Sequence, residues 1–460
     1  MEELVSIYLK QLFELLFSKI KFMGDKNNKS VNINIVITIP NYFNYFQRKV
    51  IEKIFLTQIF SNNNNNLLSL FGKYNVQIKN IKIENSSNLG YLFAFQKLMD
   101  SNAKNINKNL ILIHIEGSSI NISLLSILII NDLTKKEIKN NNEFINKYEI
   151  KGISGTSFGE GDFTDNFIYS CLCSFTEEIK NECIKTPSAM AKLRSACETG
   201  KIYFYKTSQT EINIQKLYDN IDLKMNLNEM DYERACNQYF EKINELIIDL
   251  LIKSKKSEKE IDDIVFIGYT TNVNIIRQKI SKIFKGKNNE LFNKLANNKY
   301  FEIDKNNKDI KNEDSIVIGA SLQSFNLFSN KINNFKYVEI TPISFGIEGL
   351  NKKMDFVIEK GSLIPNTVQK YVKIIKPKGD NKISINIFEG EDEYVYNNRL
   401  ISRANINIKN FKYEKFGIDY IEILFLFIIN TNFNLSVFIL DPKTLKRKFE
   451  CIINIDVVQE

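Results

Sequence analysis

The chain has 460 residues, with 62 Lys+Arg against 54 Asp+Glu for a net charge of +8. That length holds more than one domain, and 43% hydrophobic with 25% charged residues excludes wholesale disorder. Only seven of the basic residues are Arg, and Gly (18), Pro (6) and Trp (0) are scarce, so the Lys excess fills permissive positions and direct nucleic-acid binding is not expected.

The six cysteines form no C-x-x-C pair, and the one histidine, His114, excludes a metal site built from several His ligands. Reduced thiols in a cytoplasmic protein are the expectation. The first residues, Met-Glu-Glu-Leu-Val, lack the order of a signal peptide. Leu4 to Met23 is apolar but broken by Lys10, Glu14, Lys19 and Lys21 at helical spacing, which predicts an amphipathic helix rather than a membrane span, and no membrane partner.

In chain order, residues 24–28 predict a turn. Val31 to Ile39 predicts a strand covered on both faces and stopped by Pro40, and Phe43 to Phe60 a helix. Asn62 to Asn66 reads as a solvated insert. A strand at Val76–Ile83 and a helix at Leu89–Met99 lead into a hairpin, Leu110–Ile115 with Ile120–Ile130, and Lys135 to Lys147 reads as a polar turn. Helices are predicted at Phe163–Cys183, Pro187–Lys201, Asp231–Ser254 and Ile275–Phe284, and strands at Glu211–Ile214, Ile221–Leu227 and Ile264–Ile267. This mixture is that of an α/β domain up to about residue 328. Beyond Val338 the helical period disappears. Short β-rich runs at Ile383–Phe388, Tyr420–Ile429 and Leu435–Leu440, with Asn430-Thr431-Asn432 as a hairpin turn, predict an all-β sandwich.

Several words in the sequence resemble one family. Val-Glu-Ile-Thr-Pro-Ile-Ser-Phe-Gly-Ile-Glu (338–348) resembles the opening of the substrate-binding domain of the seventy-kilodalton heat-shock chaperones (the DnaK type). Ile364-Pro365 falls at that family's T-I-P turn, and Ile387-Phe388-Glu389-Gly390-Glu391 is similar to its Y-E-G-E strand end. Residues 35–48 resemble V-I-T-V-P-A-Y-F-N-x-x-Q-R, and Leu193 to Glu198 resembles L-R-x-A-C-E. Phe158 to Asn166 and Ile316 to Gln323 are similar to L-G-G-E-D-F-D-N and V-A-Y-G-A-A-V-Q. All seven occur in the family order.

The resemblance implies an α/β actin-like (ribonuclease-H-like) nucleotide-binding domain over 1–328, N-terminally incomplete. Residues 1–108 would be a remnant of lobe I and 109–328 lobe II. A linker at 329–338 and an all-β sandwich at 339–460, without a C-terminal helical lid, would follow. It implies ATP or ADP as cofactor, Mg²⁺ only alongside nucleotide, and as partners unfolded or nascent polypeptide, a J-domain protein and the ribosome. Carried over position by position, Glu84, Gly117, Ser119, Glu198, Lys201 and Gly268 are the nucleotide contacts that remain. No catalytic residue and no metal ligand carries over. His114 stands where the family has a Mg²⁺-holding Asp, and Glu116 and Ser118 where backbone must approach phosphate. Asn85 replaces a Pro after Glu84. Ile202 replaces an adenine-stacking Arg, Tyr205 a Ser, and Tyr269 crowds the third glycine turn, Gly268 to Asn272. The expectation is a degenerate chaperone or co-chaperone with weakened nucleotide binding and a degraded ATPase site. The alternatives are an ordinary ATP-dependent folding chaperone with an incomplete N-terminus, and a non-catalytic scaffold.

Overall fold

The structure, a computed structural model, describes residues 2–19, 30–55, 75–100, 105–130, 146–207, 209–268, 274–284, 314–328, 335–375, 382–407, 413–416, 418–440 and 447–452. The expected turn at 24–28, the insert at 62–66, the turn at 135–145, the end of the first long helix at 56–60, Tyr269 to Asn272 and the linker start at 329–334 lie outside the described residues. Among the described residues no helix is long and apolar enough to cross a membrane.

The chain opens with α1 (Glu2–Lys19), β1 (Ser30–Ile39), α2 (Tyr45–Lys53) and β2 (Asn75–Asn85). β1 and β2 pair in parallel, which requires a crossover, and α2 lies within it. Asn44 starts α2 by a reciprocal capping box: its side chain accepts the Gln47 N–H at 2.8 Å, and the Gln47 side chain accepts the Asn44 N–H at 2.9 Å. Val5 and Leu9 of α1 join Ile37, Ile81, Ile54 and Phe55 in a small core.

Next come α3 (Ser86–Leu89), α4 (Leu92–Asp100), β3 (Ile106–Glu116), β4 (Ser119–Ile129), β5 (Asn146–Thr156), α5 (Glu160–Leu172), α6 (Glu177–Lys185) and α7 (Pro187–Thr207). They are followed by β6 (Gln209–Tyr218), β7 (Ile221–Asn228), α8 (Glu229–Ala235), α9 (Asn237–Lys253), β8 (Asp263–Ile267), α10 (Asn274–Ile283), α11 (Ser315–Phe328) and β9 (Phe335–Ile340). One sheet, in the order β9-β5-β4-β3-β8 with the later strand β12 (Leu363–Ile364) beyond β9, organises this part of the chain. Its central strands are apolar on both faces. Ile111, Ile113, Ile122 and Leu124 pack with Ile243, Ile247 and Leu250 of α9, whereas Leu110, Leu112, Leu125 and Ile127 pack with Leu92 and Phe95 of α4. Alternate residues of a strand face opposite sides, so helices on both sides produce the continuous apolar runs seen in the sequence.

Two helices expected as single elements are divided. The stretch 163–183 becomes α5 and α6, because the Ser174 hydroxyl donates to the Cys171 carbonyl at 2.7 Å and closes the first helix. The stretch 231–254 becomes α8 and α9, parted at Cys236, which holds the N-terminal cap position of α9.

The remaining strands are β10 (Phe345–Glu348), β11 (Met354–Ile358), β12 (Leu363–Ile364), β13 (Asn366–Ile375), β14 (Lys382–Glu389), β15 (Arg399–Asn407), β16 (Tyr413–Phe416), β17 (Ile418–Ile429), β18 (Leu435–Leu440) and β19 (Arg447–Ile452). They form two sheets, β11-β10-β14-β15 and β13-β17-β18-β19 with β16 on β17. Ile347, Ile385, Ile387 and Ala404 of one sheet share a core with Ile423, Phe425, Phe427, Val437 and Ile439 of the other. The turn between β17 and β18 is tied by the Asn430 side chain, which accepts N–H groups of Asn432 and Asn434, each at 2.9 Å.

The segment expected as linker ends in a strand. β9 pairs in parallel with β5, Asn146↔Phe335 through Glu149↔Val338, and antiparallel with β12. The sheet of the first domain therefore continues into the start of the second.

Candidate nucleotide site and the inter-domain junction

The β3–β4 hairpin turns at Gly117 and Ser118, and two other backbone segments close on it. Gly159, the cap residue of α5, lies so near that a Cβ there would stand 2.2 Å from the Ser119 nitrogen. The Gly161 N–H donates to the Gly117 carbonyl at 2.7 Å. Gly268, after β8, has φ +91°, and a Cβ on it would meet the Ile115 carbonyl at 2.9 Å and the His114 ring at 3.4 Å. Only glycine meets both demands at 268, a left-handed backbone and a close neighbour. Three Gly-bearing segments thus gather at one strand end, the arrangement a phosphate-binding turn needs.

The side chains there have a different character. His114 is buried, and burial pushes its pKa down to about 3, so the ring is neutral at ordinary pH. Its Nδ1 lies 3.2 Å from Glu116 Oε1 and 3.4 Å from Ser86 Oγ. The Ser119 hydroxyl donates to Glu116 Oε2 at 2.9 Å, and Ser86 also hydrogen-bonds this carboxylate. Burial raises the Glu116 pKa and these hydroxyls oppose the rise. The Glu116 carboxylate therefore takes up the Ser119 and Ser86 hydroxyls beside the turn.

One turn further along α5, about 5 Å, Thr164 meets α7. Lys201 Nζ donates to Thr164 Oγ1 at 2.9 Å, and Thr164 donates to Glu198 Oε1 at 2.7 Å. Lys201 also pairs with Glu198 Oε2 at 2.7 Å, and its ammonium lies 5.9 Å from the centre of the Phe163 ring. Lys201 is only 2% exposed, so it positions Glu198 across one helical turn. Ile202 points outward, 45% exposed.

Glu84 is held by partners outside the β3–β4 turn. It ends β2 fully buried, ion-paired at 2.5 Å with Lys82, and accepts from Gln323 of α11 at 3.4 Å. Across from it stands Glu339 of β9, which accepts Asn88 Nδ2 at 2.8 Å and the Tyr337 hydroxyl at 2.9 Å. Burial and the Glu84 charge raise the Glu339 pKa to about 8. Arg48 of α2 completes this junction. It donates to the Phe43 carbonyl at 3.1 Å and to the Asn85 side chain, and its guanidinium lies 5.1 Å from the Phe433 ring centre in the sandwich. At its first turn α2 also meets Glu389 of β14, which accepts the N–H groups of Tyr45 at 2.8 Å and Phe46 at 3.3 Å. A carboxylate at a helix N-terminus complements the helix dipole, and burial still raises it to about 7. Tyr45 is buried in the sandwich core, edge-on to Phe345 at 5.6 Å.

The structure thus brings Gly117, Ser119 and Gly268 together, places Glu198 and Lys201 beside Thr164, and sends Glu84 to the junction. Sequence reading did not single out Ser86, Lys82, Arg48 or Glu339. Their signal was weak: a charged residue inside an apolar strand, as at Lys82 and Glu339, calls for a buried partner.

Comparison with known proteins adds a family. The family model described as "Hsp70 protein" matches residues 103–453. The "Heat shock cognate 70 kDa protein 3" of Dictyostelium discoideum is 25% identical over 404 residues, covering 86% of this chain and 55% of that protein. The "Heat shock 70 kDa protein" of Trichophyton rubrum is 24% identical over 381 residues, 81% of this chain and 49% of that protein. "Heat shock 70 kDa protein 2" of Paracoccidioides lutzii is 24% identical over 412 residues, 88% and 53% respectively. The chain spans about half the length of the curated relatives it matches.

Proposed function

Because the chain belongs to the Hsp70 family, we propose that it is a chaperone or co-chaperone that binds unfolded or nascent polypeptide without being driven by ATP turnover. The Hsp70 family binds ATP or ADP with Mg²⁺ and works on unfolded clients together with J-domain proteins. The observation that carries the departure from that cycle is the Glu116 carboxylate in the phosphate turn, already hydrogen-bonded by Ser119 and beside neutral His114. A triphosphate would put several negative charges against that carboxylate, and a neutral imidazole supplies no counter-charge. The turn does not fit a Mg²⁺–triphosphate group. The Thr164–Glu198–Lys201 cluster and the backbone at Gly268 keep the features of an adenosine-side contact, so residual nucleotide binding is weak and hydrolysis is absent.

Client binding belongs to the sandwich in this reading, since strand addition grips extended segments through main-chain bonds and leaves side-chain identity loosely read. A J-domain protein at the ribosome surface is the partner proposed for it, in the cytoplasm. The purified chain is expected to suppress aggregation of an unfolded client equally well with and without ATP and to release no phosphate above background. Steady-state ATP hydrolysis that rises with added peptide would overturn the proposal.

A further inference from the structure

We propose that Cys171 and Cys197 are a disulfide-forming pair that cross-links α5 to α7. Their sulfurs lie 3.9 Å apart, and both residues are fully buried in the core of the first domain. A disulfide needs about 2.05 Å between sulfurs, so an approach of about 2 Å, shared between two side chains on adjoining helices, closes the bond. The two thiols are in hydrogen-bond contact, in which either can donate; contact with Cys197 lowers the Cys171 pKa and makes it the better nucleophile. It also sits in the last turn of α5, next to the exposed Cys173, where a helix end opens first.

The oxidant is a low-molecular-weight disulfide, RSSR. Cys171, as thiolate, attacks one of its sulfurs; the Cys171–SR bond forms, the RS–SR bond breaks, and RS⁻ leaves. Cys197 then loses its proton and attacks the Cys171 sulfur, forming the Cys171–Cys197 bond and expelling the second RS⁻. Two thiols are oxidised, one RSSR is reduced to two RSH, and the protons end on the released thiols.

The bond would join positions 26 residues apart. It would also clamp the two helices that build the Thr164–Glu198 contact, because Cys197 directly precedes Glu198 and Thr164 lies on α5. The inference is independent of whether that cluster meets a nucleotide.

The test uses the full chain, reduced and then exposed to glutathione disulfide, unfolded, alkylated and peptide-mapped. The expected result is a linked peptide joining residues 171 and 197, four alkylated cysteines of the six, and a melting temperature raised on the order of 5 °C that reductant reverses. Cys171→Ala and Cys197→Ala each abolish the link, and Cys173→Ala retains it. If Cys173 is modified while Cys171 and Cys197 stay alkylatable, or if the bridge joins Cys183 or Cys173 instead, the proposal is overturned. Mapping of the unsubstituted chain decides this even where an alanine variant fails to fold.

Discussion

Glu116 and Glu339 are two carboxylates that the fold takes out of water, with different consequences. Glu116 occupies the Ser119 hydroxyl of the β3–β4 turn, so Glu116→Gly is expected to free Ser119 and raise nucleotide affinity about tenfold, roughly 1.4 kcal/mol. Equilibrium titration with a fluorescent ATP analogue measures it, and an unchanged affinity counts against a self-occupied turn. Glu339 carries a pH dependence. Its folded pKa of about 8 lies above the ordinary 4.5, so the folded chain binds the proton more tightly and stability falls as pH rises from 4.5 through 8. His114 acts in the opposite sense lower down: ordinary 6.5 and folded about 3 mean stability is lost as pH drops below 6.5. Glu389, at about 7, acts as Glu339 does and is about half titrated at neutrality, so it adds to the fall above pH 7. Between pH 7 and 8.5 the urea midpoint is therefore expected to fall, and to fall less in Glu339→Gln. Parallel curves for the two chains would dismiss the Glu339 contribution.

Elements show how a strand is read or missed. β17 and β18 were legible because Phe425, Phe427, Val437 and Ile439 alternate with residues that are also apolar, so any β window detects them. The hairpin β3–β4 was legible for the same reason, with Gly117 marking its turn. β9 reads as a linker because Phe335-Lys336-Tyr337-Val338-Glu339 has no clean period. Its place is fixed by partners distant in sequence: Tyr337 stacks on Tyr148 at 5.5 Å and Glu339 is held by Asn88. β5 carries Gly152 and Gly155 and adjoins a polar stretch, so its strand character also comes from β4 and β9 on either side. Val338→Pro, opposite Glu149, removes one N–H and the freedom of the preceding residue. Faster amide exchange at residues 146–149 is the expected outcome, and unchanged protection there would show that β9 does not hold β5.

At the scale of the molecule, the six-stranded sheet and the C-terminal sheets meet at α2 and β9, through the β5–β9 backbone ladder and through side chains such as Glu389, which bonds to backbone. Glu389 is 1% exposed and serves two N–H groups of α2. Glu389→Ala leaves those donors unpaired at a cost of about 1–3 kcal/mol. Calorimetry is expected to show one unfolding transition for the unsubstituted chain and two for the variant. A single transition in both would mean that the junction does not depend on this carboxylate. The sequence by itself determined the family and the change from mixed helices and strands to strands alone, because these rest on local periodicity and on residue identity at motif positions. Tertiary structure alone decided that Glu84 faces Lys82 and lies in the junction with Glu339, that Glu389 caps a helix 343 residues away, and that two cysteines on different helices stand side by side. Those pairings are set by how sheets and helices stack, and burial, which gives each charge its pKa and each thiol its neighbour, exists only once the chain has folded.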